Sequence, residues 1–276
     1  MILFSIYIII FLFGLIIGSF LNVVILRFNT GQKIGNDRSK CMSCSHVLGF
    51  RDLFPLISWL STLGRCRYCK TRISPQYPIV EFSTGLLFVL GFYHLINIML
   101  ISNINFIIEF IYLMIIFSIL MIIFVYDLRH KIIPNLFSYS FAIITFIHYL
   151  YFSYFVQGLD LLAFPEILNL FSGLIFFIPF FLLWFISRGQ WMGLGDGKLV
   201  LGVGWFLGFT LGLSGIILSF WLGAIFALII MFISKLNRGD QSITMKTEIP
   251  FGPFIILGTL IVYFFQIDIL GLSLLF

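Results

Sequence analysis

The stretch from Ile2 to Leu26 contains no charged side chain. A bilayer core about 30 Å thick is crossed by roughly 20 apolar residues in a helix, whereas a membrane β-strand needs only about 9–11. Apolar runs of this length therefore predict helical spans and exclude a barrel. Further runs cover roughly 79–101, 106–126, 135–156, 166–187, 199–211, 213–234 and 251–275. The sixth is short and rich in glycine. It can be read as a span, as a half-helix or as fused to the seventh, so the expected count is eight spans with seven as the fallback. Composition agrees, with 61% apolar and 10% charged residues against about 45–50% and 25% in soluble domains. So few charges cannot cover a water-soluble core, which excludes a cytosolic enzyme, a disordered chain and a disulfide-stapled secreted domain. The fold class is an all-α polytopic membrane protein. With no basic residue ahead of the first run and no small-residue cleavage site behind it, a removed signal peptide is not expected.

The 16 Lys and Arg residues fall in four segments: nine in 27–78, two in 127–134, two in 188–198 and three in 235–249. Eight spans place all four on one side, while the opposite connections near 102–105, 157–165 and 212 carry none. The positive-inside rule makes the charged side cytoplasmic and puts both termini outside. The net charge of +5 is then explained by anionic lipid heads, with no nucleic acid as partner.

Three parts follow: a first transmembrane helix (1–26), a cytoplasmic insert (27–78) and a transmembrane domain (79–276). The insert contains all four cysteines, as Cys41-Met42-Ser43-Cys44 and Cys66-Arg67-Tyr68-Cys69. Two C-x2-C knuckles separated by 21 residues resemble a four-thiolate zinc site, each supplying two corners of a tetrahedron. A small insert without much core gains folding free energy from a metal, and a reducing cytoplasm disfavours disulfides. Structural zinc is expected ahead of a redox dithiol pair or unliganded thiols. His46, two residues after Cys44, reads as a solvated neighbour. Glu81, near the start of the second span, is expected to complement that helix's dipole. The apolar segment Phe54-Pro55-Leu56-Ile57-Ser58-Trp59-Leu60 is expected to lie at the bilayer interface. No G-x-G-x-x-G follows a strand, so a dinucleotide-type domain is not indicated.

Two acidic residues lie at membrane depth on the charged side. Asp127 ends the third span in Val125-Tyr126-Asp127-Leu128-Arg129-His130, and Asp196 precedes the sixth in Met192-Gly193-Leu194-Gly195-Asp196-Gly197-Lys198. A carboxylate at a span's centre costs about 2.5–3.5 kcal/mol and is a functional candidate by default. At the edge the cost is smaller, so Asp127 alone would read as an interface anchor. Glycines around Asp196 permit close backbone approach, and the pattern lacks the G-x-x-x-x-G-K-S/T of a phosphate loop. Two neighbouring carboxyls, one ionised and one protonated, can activate water against a peptide carbonyl without a metal. The competing reading is a transporter with a zinc-stabilised insert, its broken helices near Asp196 and Pro250–Pro253 forming a path. No mid-span charge and no internal two-fold repeat support it.

Six segments in order resemble the bacterial type IV prepilin peptidases, intramembrane aspartic proteases of the GxGD class. They are Gly18-Ser19-Phe20-Leu21-Asn22-Val23-Val24-Ile25-Leu26-Arg27 with the paired knuckles after it, Ser58-Trp59-Leu60, Tyr77-Pro78-Ile79-Val80-Glu81, Asp127 to Pro134, Gly193 to Lys198, and Ile249-Pro250-Phe251-Gly252-Pro253-Phe254. Met42 departs from the proline usual in the family's first knuckle and could loosen it. The resemblance implies Asp127 and Asp196 as the catalytic pair, supported by the loop residues Gly193, Gly195 and Lys198. It also implies prepilin or pseudopilin substrates cut at the cytoplasmic membrane face of the bacterial inner membrane, and N-methylation of the new terminus with S-adenosylmethionine. The cofactor's binding residues are not identified.

Overall fold

The computed structural model describes residues 2–35, 38–99, 103–236 and 249–272. Most of the basic segment 235–249 and the end of the expected last span, 273–275, lie outside the described residues. The elements are α1 (Ile2–Arg27), α2 (Ile57–Ser61), α3 (Gln76–Met99), α4 (Asn103–His130), α5 (Asn135–Leu150), α6 (Glu166–Ser187), α7 (Leu194–Leu236) and α8 (Gly252–Phe265). A turn of π-helix, Tyr151–Val156, extends α5. Among the described residues, six helices are long and apolar enough to cross a membrane, and α8 is a shorter apolar helix. The chain forms two compact units, Met1–Ile122 and Ile123–Phe276.

In the first unit α1 and α3 pack antiparallel through small residues. A Cβ on Gly14 would lie 2.6 Å from the Gly85 Cα, and one on Gly18 2.7 Å from the Glu81 Cα. With little hydrophobic drive between helices in lipid, such close backbone contact is what holds spans together. Buried Asn22 spans the same seam, donating to the Gly18 carbonyl and to the Tyr77 carbonyl at 3.2 Å. Pro78 lies inside the first turn of α3, where its missing N–H has no helical partner to lose.

In the second unit α7 accounts for the uncertain count. A straight helix of 43 residues would run about 65 Å, twice the hydrocarbon thickness. Gly208 breaks it, with φ 75° and ψ −174°, a conformation open to glycine and strained for other residues. Asn169 of α6 holds the break, its Oδ1 accepting the Phe209 N–H at 2.9 Å. Before the break Gly197 faces Phe177 and Phe180 of α6, and Gly204 faces Gly173. Beyond it Gly212 faces Phe176, and the Phe220 ring lies tilted beside Phe180, 6.1 Å between centres. The direction along α6 has reversed, so α7 is a helical hairpin with two arms. With α1, α3, α4, α5, α6 and α8 it gives eight apolar segments. The break falls at Gly208 rather than at Gly212, which packs inside the second arm. α8 returns antiparallel to that arm, with Gly223 beside Phe251 and Phe254, and Gly215 beside Thr259.

Candidate functional site: two carboxylates at one end of the helices

This packing gathers five helix ends in the second unit: the C-termini of α4 and α6 and the N-termini of α5, α7 and α8. Asp127 lies one turn from the end of α4 and is buried, 3% exposed. Its Oδ2 accepts the N–H of Gly252, the first residue of α8, at 3.1 Å. Asp196 lies in the first turn of α7, partly exposed. Its carboxylate folds back over the helix start, with Oδ2 3.6 Å from where a Cβ on Gly193 would lie. Each carboxylate therefore lies at a helix start, and that of Asp127 takes an N–H left without a partner inside its helix.

Close backbone packing sets this geometry. A Cβ on Gly252 would lie 2.6 Å from Asp127 Oδ2 and 3.0 Å from Ile133 Cδ1, and one on Gly195 would lie 3.0 Å from Ile133 Cβ. Buried Ile133 thus lies between the start of α7, which carries Asp196, and the start of α8, which bonds Asp127. Lys198 turns to α5, donating to Asn135 Oδ1 at 2.8 Å, with its ammonium 5.1 Å from the Tyr139 ring centre. Gly252 and Ile133 had no assigned role in the sequence. The Pro250-Phe251-Gly252-Pro253 helix start was visible, but its contact with Asp127 spans 125 residues.

In the first unit the four cysteines converge. Their sulfurs lie within 4.8 Å of one another, and Cys41 Sγ and Cys69 Sγ are 3.8 Å apart, an arrangement able to hold a metal ion. The two knuckles are built alike. Cys41 N–H bonds the His46 carbonyl and Ser45 N–H the Cys41 carbonyl, while Cys66 N–H bonds Thr71 and Lys70 N–H bonds Cys66. Ser45 and Lys70 take matching positive φ values of 56° and 61°. Met42 points outward, 73% exposed, and the first knuckle keeps the hydrogen bonds of the second, so the missing proline does not loosen it. The Thr71 hydroxyl and N–H beside Cys69 pull its thiol down to about 6, which favours the thiolate a metal takes. His46 lies against the Tyr68 ring at 3.7 Å between centroids.

Glu81 departs from its expected dipole role. It sits in the second turn of α3, buried, and its Oε2 accepts the N–H of Leu56 at 2.8 Å. Leu56 is the residue before α2 and has φ 58°. The carboxylate therefore caps the insert's short helix rather than its own.

The family model described as Bacterial Peptidase A24 N-terminal domain matches residues 12–95, and that of the Type IV leader peptidase family matches residues 114–228. The prepilin leader peptidase/N-methyltransferase of Vibrio cholerae serotype O1 is 31% identical over 94% of this chain and 97% of its own length. The chain belongs to the type IV leader peptidase family. The Bacillus subtilis relative of the same name is 28% identical over 95% of this peptidase and 96% of itself. A Myxococcus xanthus relative, again with that name, is 53% identical over 28% of the chain and 23% of its own length. No solved structure matches.

Proposed function

We propose that this peptidase removes the short leader from type IV prepilins or pseudopilins at the cytoplasmic face of the bacterial inner membrane, with Asp127 and Asp196 as its catalytic carboxyls. The observation that carries the reading is that the α8 start, whose Gly252 N–H holds Asp127, and the α7 start, which carries Asp196, both pack against Ile133. One carboxyl, ionised, takes a proton from water. The other, protonated, donates to the scissile carbonyl as the water adds, and the roles reverse as the tetrahedral species collapses. Gly195 lets the α7 start approach Ile133, and Lys198 fastens α7 to α5. The basic segments 127–134 and 188–198 flank the same end, which supports a cytoplasmic site and outer termini.

We also assign to this chain N-methylation of the new terminus with S-adenosylmethionine, as in its relatives' names, and attach no residue to that cofactor. Incubating the purified peptidase with a prepilin should yield a product lighter by the leader. Adding S-adenosylmethionine should raise the product's mass by one methyl group, about 14 Da. An unchanged prepilin mass would overturn the cleavage reading, and an unmethylated product the second activity.

The metal is zinc, held by Cys41, Cys44, Cys66 and Cys69. Zinc–sulfur bonds of about 2.3 Å at tetrahedral angles separate sulfurs by about 3.8 Å, the Cys41–Cys69 distance. When bound, zinc supplies folding free energy to the insert. Metal analysis should find one zinc per chain, lost when Cys66 and Cys69 become Ser, while the helical circular dichroism of the spans persists. Full occupancy in that double variant would refute the assignment.

A further inference from the structure

The insert presents a row of uncovered apolar side chains at three-residue spacing. Phe54, Ile57, Leu60 and Leu63 are 43%, 59%, 61% and 85% exposed, and Phe50 extends the row through an edge-on contact with Phe54 at 6.0 Å. The opposite side of α2 is engaged within the unit: Leu56 N–H bonds Glu81, and the Trp59 indole donates to the Ile73 carbonyl and covers Gly64. This orientation leaves the apolar row facing outward.

The bond to Glu81 also fixes depth. Glu81 lies about 8 Å along α3 from its start at Gln76, at 1.5 Å per residue. A helix start bonded there lies beside the first turns of a helix long and apolar enough to cross a membrane. Beside Leu63 a cleft of about 700 Å³ is lined by Ser61, Thr62, Arg65, Cys66, Arg67 and Lys70, and its hydroxyl and cationic groups suit a phosphodiester. Arg51 adds an exposed cation next to Phe50.

We infer that the Phe50–Leu63 ridge is a membrane foot, its apolar row inserted among acyl chains and its Arg65–Arg67–Lys70 cleft receiving the headgroup of an anionic phospholipid. Depth and charge together favour this occupant: a ridge at the boundary of an anionic leaflet meets acyl chains below and phosphates above. Arg67 is also paired with Asp52 at 3.1 Å, so Arg65 and Lys70 are the cations to vary.

The test uses the full chain in phosphatidylcholine nanodiscs doped with photoactivatable phosphatidylglycerol or the matched phosphatidylcholine, with adducts mapped by mass spectrometry. Adducts are expected on residues 50–63 as well as on the lipid-facing side of α6. Ile57→Ser with Leu60→Ser should lower ridge labelling at least severalfold and leave α6 labelling and leader cleavage unchanged. Arg65→Gln and Lys70→Gln should each reduce the phosphatidylglycerol-over-phosphatidylcholine ratio at the ridge about fivefold. An unlabelled ridge beside a normally labelled α6 would overturn the inference, as would a ridge that cross-links to prepilin or to a second copy in place of lipid. Equal labelling by both lipids, unchanged in the Arg65 and Lys70 variants, would remove the headgroup site.

Discussion

Replacing Asp127 or Asp196 by Asn should lower leader cleavage by at least about 100-fold, and by up to about 10⁴-fold, the usual range for removing a general acid or base. Asn matches Asp in shape, and at position 127 its carbonyl oxygen can still accept the Gly252 N–H, so the helix ends should stay in place. The loss then reflects the missing ionisable group. Cleavage of a prepilin, followed by the mass of its product at equal amounts of inserted enzyme, measures the effect. Methylation of a precleaved substrate should continue in both variants, which separates the loss from misfolding. Near-normal cleavage by either variant would dismiss the paired-carboxyl mechanism.

Gly252→Ala is the second large effect, and it needs no change to either carboxylate. The added methyl would sit 2.6 Å from Asp127 Oδ2 and 3.0 Å from Ile133 Cδ1, so α8 or Asp127 must shift. A displacement of about 1 Å at a reacting group can cost about 100-fold in rate, and we expect that loss in kcat with KM nearly unchanged. Gly223→Ala, which meets Phe251 and Phe254 of the same α8 at 3.4–3.6 Å, is an ordinary contact and should cost little. If the Gly252 and Gly223 variants lose equal activity, the effect belongs to helix packing and not to the position of Asp127.

Much of the fold was legible because lipid simplifies the problem. In a solvent that cannot satisfy a peptide group, a long uncharged run must be a helix, and the bounds expected for 166–187 coincide with α6. Paired C-x2-C spacing identified four cysteines that come together, because each knuckle is a local structure formed within a few residues. Asp127 and Asp196 stood out as carboxylates at membrane depth, so the candidate pair could be named without knowing how they meet.

Their surroundings could not be read the same way. Gly252 N–H on Asp127 and Glu81 capping α2 are contacts made across 125 residues and across 25, and Ile133 meets the starts of α7 and α8 from far along the chain. No local propensity encodes them. Glu81 looked like a dipole partner of its own helix because the sequence shows only which residues are neighbours in the chain. The break of α7 is the same case: Gly208 and Gly212 are alike to any local rule, and Asn169 on another helix decides which one bends. The sequence by itself determined that this chain has runs long and apolar enough to span a membrane, how its basic residues are grouped, and which side chains are candidates for chemistry, since those follow from solvation cost and residue type. Only the tertiary structure decided where the long helix turns back and what holds each carboxylate, because those depend on which backbones come within about 3 Å of one another.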